Sequence, residues 1–448
     1  MQARQFPANG VSRQAYQSGT VPISCSGWTL HAPAPRHTAL EQDVETDVAV
    51  IGAGLAGSSL ALHLQKLGVN VALIEARQPA DGASGRNAGH VQPFLDKLQA
   101  LKSWPGAGQA FIEYFVQQRN IVYEMCNRYG IDGDAHPGGM VEVAARPVAA
   151  LKAKAREWAS RGYAVAEVGR DSLQELLGTS RYGYGLRWEE GGSVNPFMFT
   201  NGMVRVAQML GAQVYGDSPV LGCRREGGRW RVVTARGSVV AHRVVICTNA
   251  HAGNPFFPEL GRTQYPLVAC ALATKPLPQA VLDGLNPARV ALTQVPTGLY
   301  PMVVDGQRRL VTATIPHVGR EDDARVYFDY FRSYLHKTFP QTRELNIELE
   351  SYWTGYTSSS SQVYHEDYAK IYEVADGVTA LMNLGTWGNV MGPLLGRHLA
   401  QVMASERWQD LLLPLEKPQE VANPQWFGFK VRRIMVPMAR IADRLNLA

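Results

Sequence analysis

The sequence is poor in the features that mark several large protein classes. Its 448 residues hold five cysteines, at positions 25, 126, 223, 247 and 270, with no CxxC spacing. No zinc ribbon or dithiol redox motif is therefore written in it, and a reducing compartment is expected. Cys247, inside the apolar run RVVICTNA, reads as a small buried hydrophobe. No cluster has metal-ligand spacing, so no metal is expected. No stretch approaches eighteen consecutive apolar residues, which excludes a spanning helix. Residues 1–43 lack a continuous apolar core between a basic start and a small-residue cleavage site, so no secretory signal is expected. The formal charge of +5 is spread along the chain without a basic block, which falls short of a dedicated nucleic-acid binder. What remains, with 46% hydrophobic and 19% charged residues, is the composition of a soluble enzyme long enough for two well-buried domains.

What the chain does have begins at Asp47, in DVAVIGAGLAGSSLALHLQKLGVNVALIEARQPADGASGRNAGHVQP. Residues 48–51 form the short apolar run of a buried parallel strand. Leu60, Leu64 and Leu67 recur at helical spacing up to Gly68, and residues 69–74 begin a second strand. Gly52, Gly54 and Gly57, with Ala56 between the last two, thus stand where strand turns into helix. Gly52 permits the tight turn, Gly54 lets the backbone approach a pyrophosphate, and Gly57 allows close helix-to-strand packing, while the helix N-terminus offers free N–H groups to phosphates. Glu75, followed by Ala76 and Arg77, ends the second strand near the ~20-residue offset at which an acid accepts hydrogen bonds from ribose hydroxyls. The pattern predicts a bound nucleotide with an ADP half.

A turn-rich segment follows, in which Gly82, Gly85 and Gly89 alternate with Ser84, Arg86 and Asn87, and Ala88 and His90 complete the run. Small residues there let backbone N–H groups wrap a second phosphate and a ribityl chain, with positive charge from Arg86. The segments VIGAGLAG, IEA and GASGRNAGH together resemble the FAD-dependent D-amino-acid-oxidase-like (DAO) superfamily, and in particular its branch of gamma-glutamylputrescine oxidases and L-pipecolate oxidases. GASGRN is the more specific part. The resemblance implies an α/β (mixed α+β) fold, with a Rossmann-like FAD-binding domain on a parallel sheet and an antiparallel-sheet substrate domain. Relatives with flavin linked through histidine carry that residue near Arg86, so non-covalent FAD is expected.

Further along, a helix is expected over residues 147–161, and another with Met203, Val206, Ala207 and Leu210 on one face leads to a strand ending at Val220. In the superfamily the residue after such a strand touches adenine through its backbone, which makes Val220 the adenine contact by resemblance. A hairpin turning at Arg236-Gly237 precedes a buried strand over 244–247, and Thr248, Asn249 and Ala250 occupy the family's second small-residue turn. Residues 378–384 form a last strand. It leads to Gly385, Thr386, Trp387, Gly388, Asn389 and Val390, then to a helix with Leu394, Leu395, His398, Leu399 and Val402 on one face. That helix N-terminus, aimed at the pyrimidine end of the flavin, would stabilise negative charge at N1 and C2=O. The expected domains are an N-terminal extension (1–43), an FAD-binding domain (44–95, 190–262 and 362–410), a substrate domain (96–189 and 263–361) and a C-terminal tail (411–448).

Alternation and regular turns over 263–360 suggest a mostly antiparallel sheet roofing the flavin, with Tyr300, His317, Trp353 and Tyr356 as candidates to line the substrate cavity. Two departures from the pattern matter. Relatives acting on sarcosine-like substrates place His and Gly where Asn389 and Val390 stand, and a carboxylate-binding lysine where Gly392 aligns. The resemblance implies oxidation of an amine or amino acid, L-pipecolate-like or gamma-glutamylputrescine-like, by hydride transfer to flavin N5. It gives an imine and passes electrons to oxygen or a quinone-type carrier. Alignment and electrostatics suffice for such a step without an obligatory acid–base residue. The alternatives are a dehydrogenase feeding a membrane quinone, and a flavin-bearing RNA-modifying or binding protein, for which a stronger basic patch is expected. The end of the chain, WFGFKVRRIMVPMARIADRLNLA, reads as a basic amphipathic helix that lies in a bilayer interface or docks on the protein's own core, interrupted by Pro437 in either case. The expected location is cytoplasmic, with possible peripheral contact on the inner face of a membrane.

Overall fold

A computed structural model describes residues 25–32, 34–96, 98–252, 256–295, 298–361, 368–385 and 388–445. Two sheets organise it. The first has nine strands, and its main path runs Leu415–Glu416, Lys370–Ala375, Val378–Met382, Ser238–Ile246, Asp43–Ile51, Val71–Ile74 and Gln213–Tyr215. From Val378–Met382 to Gln213–Tyr215 the pairing is parallel, with Ala49 opposite Val244 on one side and Ala72 on the other. Strands covered on both faces read as continuous apolar runs, which is why residues 48–51 and 71–74 are all buried. Val48 and Val50 pack toward the glycine-turn helix Leu55–Lys66 and the closing helix Gly388–Ser405, whereas Ala49 and Ile51 pack with Trp230 and Val232 of the hairpin on the other side.

The second sheet has eight strands, in the order Leu349–Ser359, Tyr265–Thr274, Leu310–Thr314, Met302–Val304, Ala291–Gln294, Met140–Ala144, Tyr184–Trp188 and Val165–Gly169. It is antiparallel except where Ala291–Gln294 runs parallel to Met140–Ala144. Side chains alternate between its faces. Met140, Ala271, Val303, Val311 and Trp353 join the core shared with the first sheet, whereas Val141, Leu272, Met302, Leu310 and Tyr352 pack against the aromatic helix Ala324–Thr338. A face toward the nucleotide-binding turns and a face away from them are thereby defined.

Three details differ from the sequence reading. The strand expected to reach Val220 ends at Tyr215, because the chain turns at Asp217, where φ is +45°. Leu415 and Glu416 pair with Ile371 and Tyr372, so the first sheet extends into the segment read as tail. Pro437 does not interrupt the last helix. Pro424–Phe429 passes through a π-helical segment, Lys430–Met435, directly into Val436–Arg444. A widened turn before Pro437 relieves the clash between its ring and the preceding carbonyls. No helix among the described residues is long and apolar enough to cross a membrane.

Candidate active site

Backbone contacts confine two of the three glycines of the turn. Gly52 has φ +104°, and a Cβ there would lie 2.8 Å from the Cys247 carbonyl oxygen. A Cβ on Gly57 would meet the Gly52 carbonyl oxygen at 2.0 Å, and one on Gly54 would meet Ser84 Oγ at 2.7 Å. Gly52 and Gly57 thus leave room for main chain alone, while Gly54 borders the Ser84 hydroxyl. Ser84 Oγ accepts from the Leu55 N–H at 2.9 Å, while the N–H groups of Ala56 and Gly57 have no partner among the described residues. These are the first-turn donors that a helix presents to an anion. Glu75 accepts from the N–H groups of Ala53 (2.9 Å) and Arg77 (3.1 Å), which hold its carboxylate beside the turn. Burial raises its pKa and those two N–H groups oppose the rise. Ala76 next to it is exposed. Val220 is buried, yet among the described residues its backbone N–H and C=O take part in no hydrogen bond, leaving both free for a ligand.

Residues 84–90 form a loop held from outside. The Trp353 indole N–H donates to the Arg86 carbonyl at 2.8 Å, and the Trp28 indole N–H donates to the Asn87 carbonyl at 2.8 Å. Two consecutive carbonyls are thereby fixed by two tryptophans, themselves in edge-to-face contact at 6.4 Å. Gly89, with φ +77°, lies so close to Trp28 that a Cβ would be 3.0 Å from its ring. Arg86 does not stand free as a phosphate ligand. Its guanidinium donates to the carbonyls of Asp81 (2.8 Å) and Thr354 (3.1 Å), tying the loop to the second sheet. His90 donates from Nε2 to the Leu292 carbonyl at 3.2 Å, and burial lowers its pKa, which keeps the imidazole neutral.

The remaining turns close on this loop. Asn87 and Asn389 exchange amide hydrogen bonds in both directions, at 3.0 and 2.9 Å, and Asn389 also donates to the His90 carbonyl at 2.9 Å. Asn249, at φ +45°, accepts on Oδ1 from the Asn383 N–H (2.8 Å) and the Ser358 hydroxyl (3.1 Å). Thr248 precedes it, directly after the Cys247 carbonyl that faces Gly52; burial pushes the Cys247 thiol up to about 12, so it stays protonated. Gly385 has φ +64°, Gly388 opens the closing helix, and Asn389 and Val390 are buried in its first turn. Thr386 and Trp387 lie outside the described residues.

The four aromatic candidates for the substrate cavity are not brought together. Tyr300 stacks on Tyr334 of the aromatic helix at 4.8 Å, and His317 donates its backbone N–H to the Tyr327 hydroxyl of the same helix and meets Arg440 with its ring. Both therefore belong to the layer turned away from the nucleotide-binding turns, a correction that follows from aromatic packing against Ala324–Thr338. Trp353 faces the turns but has no exposed surface and is taken up by Arg86 and Trp28. Tyr356, half-buried, meets the ring of His251 edge to face at 5.7 Å, beside Asn249. Gly392, which aligns with the relatives' carboxylate-binding lysine, has a close neighbour. A Cβ there would be 2.6 Å from Leu55 Cβ, so the position packs on the glycine-turn helix and does not face a substrate. Sequence reasoning missed Trp28, Ser358 and Asn383. Only the isolated tryptophan in SGWT, within an otherwise Pro- and Ser-rich extension, offered a signal.

A glycine-cradled helix N-terminus, an acid at the end of the second strand and distant loops meeting at one place define a dinucleotide-dependent enzyme of two-sheet architecture. The chain matches the family described as DAO, FAD dependent oxidoreductase, over residues 47–402, and it belongs to that family. It is thus an FAD-dependent oxidoreductase. It is 28% identical over 325 residues to a gamma-glutamylputrescine oxidoreductase of Escherichia coli (strain K12), covering 70% of this chain and 74% of that one. It is 24% identical over 392 residues to a probable oxidoreductase, OrdL, of Rhizobium meliloti (strain 1021), covering 84% and 87%. Among solved structures, an L-proline dehydrogenase from P. horikoshii shares the fold at a TM-score of 0.67 and 16% identity, covering 87% of this chain and 99% of that one.

Proposed function

We propose that the protein oxidises the C–N bond of an amine or amino acid to an imine, with FAD held non-covalently. The observation that carries the reading is the joining of residues 84–90 to residue 389 through paired asparagine amides, under a face of the second sheet. In this reading Gly52, Gly54, Ala56 and Gly57 hold the pyrophosphate, and Glu75, with Ala76 and Arg77 beside it, takes the ribose. Val220 offers its backbone to adenine. Ser84 to His90 line the flavin side, Thr248 and Asn249 support it, and Gly385, Gly388, Asn389 and Val390 present the closing helix to the pyrimidine end. FAD, when bound, would supply the two-electron acceptor for the hydride leaving the carbon beside the nitrogen, the amine proton departing to solvent as the imine forms.

The chain's own residues orient the reactants and exclude water. Burial lowers the His90 pKa against the opposing pull of the Leu292 carbonyl, which accepts from its Nε2 and orients the ring. Among the described residues two cations of this part of the chain are engaged: Arg86 as described, and Lys154 by Asp96 at 2.5 Å and Glu142 at 2.9 Å. With Gly392 packed on Leu55, this favours a substrate whose reacting carbon carries no carboxylate, the gamma-glutamylputrescine-like class over the L-pipecolate-like one. Anaerobic mixing with a panel of both classes tests it: loss of the flavin absorption band with amines alone is expected, and bleaching by small amino acids alone would reverse the preference. The acceptor, oxygen or a quinone, is read from peroxide formation in air. A fast oxidase rate would set aside the dehydrogenase alternative.

A further inference from the structure

The last helix has one face committed to the protein and one that is not. On the inner face Phe427 stacks on Tyr265 at 4.6 Å and Val431 is buried in the same small core. Arg432 donates to the His317 carbonyl at 2.8 Å and pairs with Glu321; Arg440 donates to the Ile315 carbonyl at 3.1 Å and lies over the rings of Tyr327 and Tyr330. Asp443, the one acid between residues 424 and 445, pairs with Arg181 at 2.5 Å. The outer face carries Trp426, Phe429, Met438, Ile441 and Leu445, each at least half exposed. Their spacing of three to four residues, extended once across the π-helical segment, keeps them in a single stripe. Arg433 and Arg444 are exposed beside it, and no carboxylate shares that face.

We infer that this stripe docks the protein on an anionic lipid surface, the helix lying in the plane of the interface. A helix with apolar and aromatic residues on one side, flanked by cations and free of acids, gains from both acyl burial and attraction to anionic headgroups. Charge decides against the other occupants. A second copy of the stripe would set Arg433 and Arg444 against cations of the same sign. Residues 1–24 contain two arginines and no acid, so they offer no countercharge either. Because the inner face is fixed by Arg432, Arg440 and Asp443, docking needs no rearrangement of the helix.

Flotation of the full-length protein with vesicles tests this, using phosphatidylcholine alone and phosphatidylcholine mixed with an equal part of phosphatidylglycerol. The protein is expected to float with the mixed vesicles, to stay behind with phosphatidylcholine alone, and to be released by high salt. Arg433→Ala with Arg444→Ala should weaken mixed-vesicle binding roughly thirtyfold. Met438→Glu with Ile441→Glu should abolish it while leaving the thermal midpoint and flavin absorption unchanged. Failure of the unaltered protein to float with the mixed vesicles overturns the inference. So does sedimentation showing an oligomer that Met438→Glu dissociates, since the stripe would then join two copies.

Discussion

The glycine turn and the loop over residues 84–90 are shaped by opposite means. At the glycine turn the steric constraints on two glycines are set by main chain: Gly57 against the Gly52 carbonyl, and Gly52 against the Cys247 carbonyl. The loop adds remote holds to its own bonds, from Asn87 Nδ2 to the Ser84 carbonyl at 3.1 Å and from the Gly89 N–H to Asn87 Oδ1 at 2.9 Å. Its carbonyls are fixed by Trp28 and Trp353, its Asn87 amide by Asn389, and its Arg86 by Thr354, so its shape is imposed by residues up to 302 positions away. The turn is tight chiefly where side chains are missing, the loop where distant side chains are present. Damage should therefore spread differently from each.

The sharpest test of that contrast is Gly57→Ala. A methyl group 2.0 Å from a backbone oxygen forces the helix off its strand, and a loss of about 3 kcal/mol is expected. Absorption spectroscopy should show the purified variant colourless, and a yellow, stable protein would break the comparison at its firm end. Acid probes the helix layer behind both sites. His63 and His398 are buried with pKa values lowered to about 4. The folded state then binds fewer protons than the unfolded one between about pH 6.5 and 4, so stability falls as pH drops through that window, by about 2.5 kcal/mol per histidine at pH 4.5. Glu75, shifted upward, acts in the opposite sense. His398→Gln keeps an acceptor for the Leu412 N–H, 3.1 Å away, without a titrating ring, and denaturant melts at pH 4.5 and 7 should show a shallower pH dependence.

Asn389→Ala strikes the remote support and should cost about 2 kcal/mol, because the Asn87 amide loses both bonds of the pair. Paired with Asn87→Ala, the two losses should be far from additive in urea unfolding; additivity would mean that the amides act separately. The smallest effect belongs to Trp28→Phe, which keeps the ring in place but removes the N–H from the Asn87 carbonyl. About 1 kcal/mol is expected, read as roughly fivefold weaker FAD binding in titrations of the apoprotein. Trp353→Phe should match it, and no change in either would show that the two indoles pack without steering the loop.

The same contrast explains what could be read from residues alone. The strand, three glycines, helix and Glu75 were legible because their spacing is local and each glycine answers a steric demand within a few residues. The alternation over 263–360 likewise predicted an antiparallel sheet, since one sheet face is buried in each direction. What that alternation could not say is which face looks toward the cofactor turns. Tyr300 and His317 were placed on the wrong one, and only packing against Ala324–Thr338 decides it. Gly392 shows what alignment alone leaves out. A glycine aligned with a functional lysine proved to be a contact between two helices. Trp28 and the asparagine pair carry no sequence spacing at all, because a hydrogen bond across such a separation leaves no periodic trace.

The amide pair between residues 87 and 389 also sets an order of events during synthesis. While a ribosome has released only the first three-quarters of the polypeptide, the Gly52–Gly57 hook can form, but its opposite jaw does not yet exist. On the proposed assignment of both segments to the coenzyme, a nascent chain stalled short of Asn389 is expected not to retain flavin, read from its fluorescence.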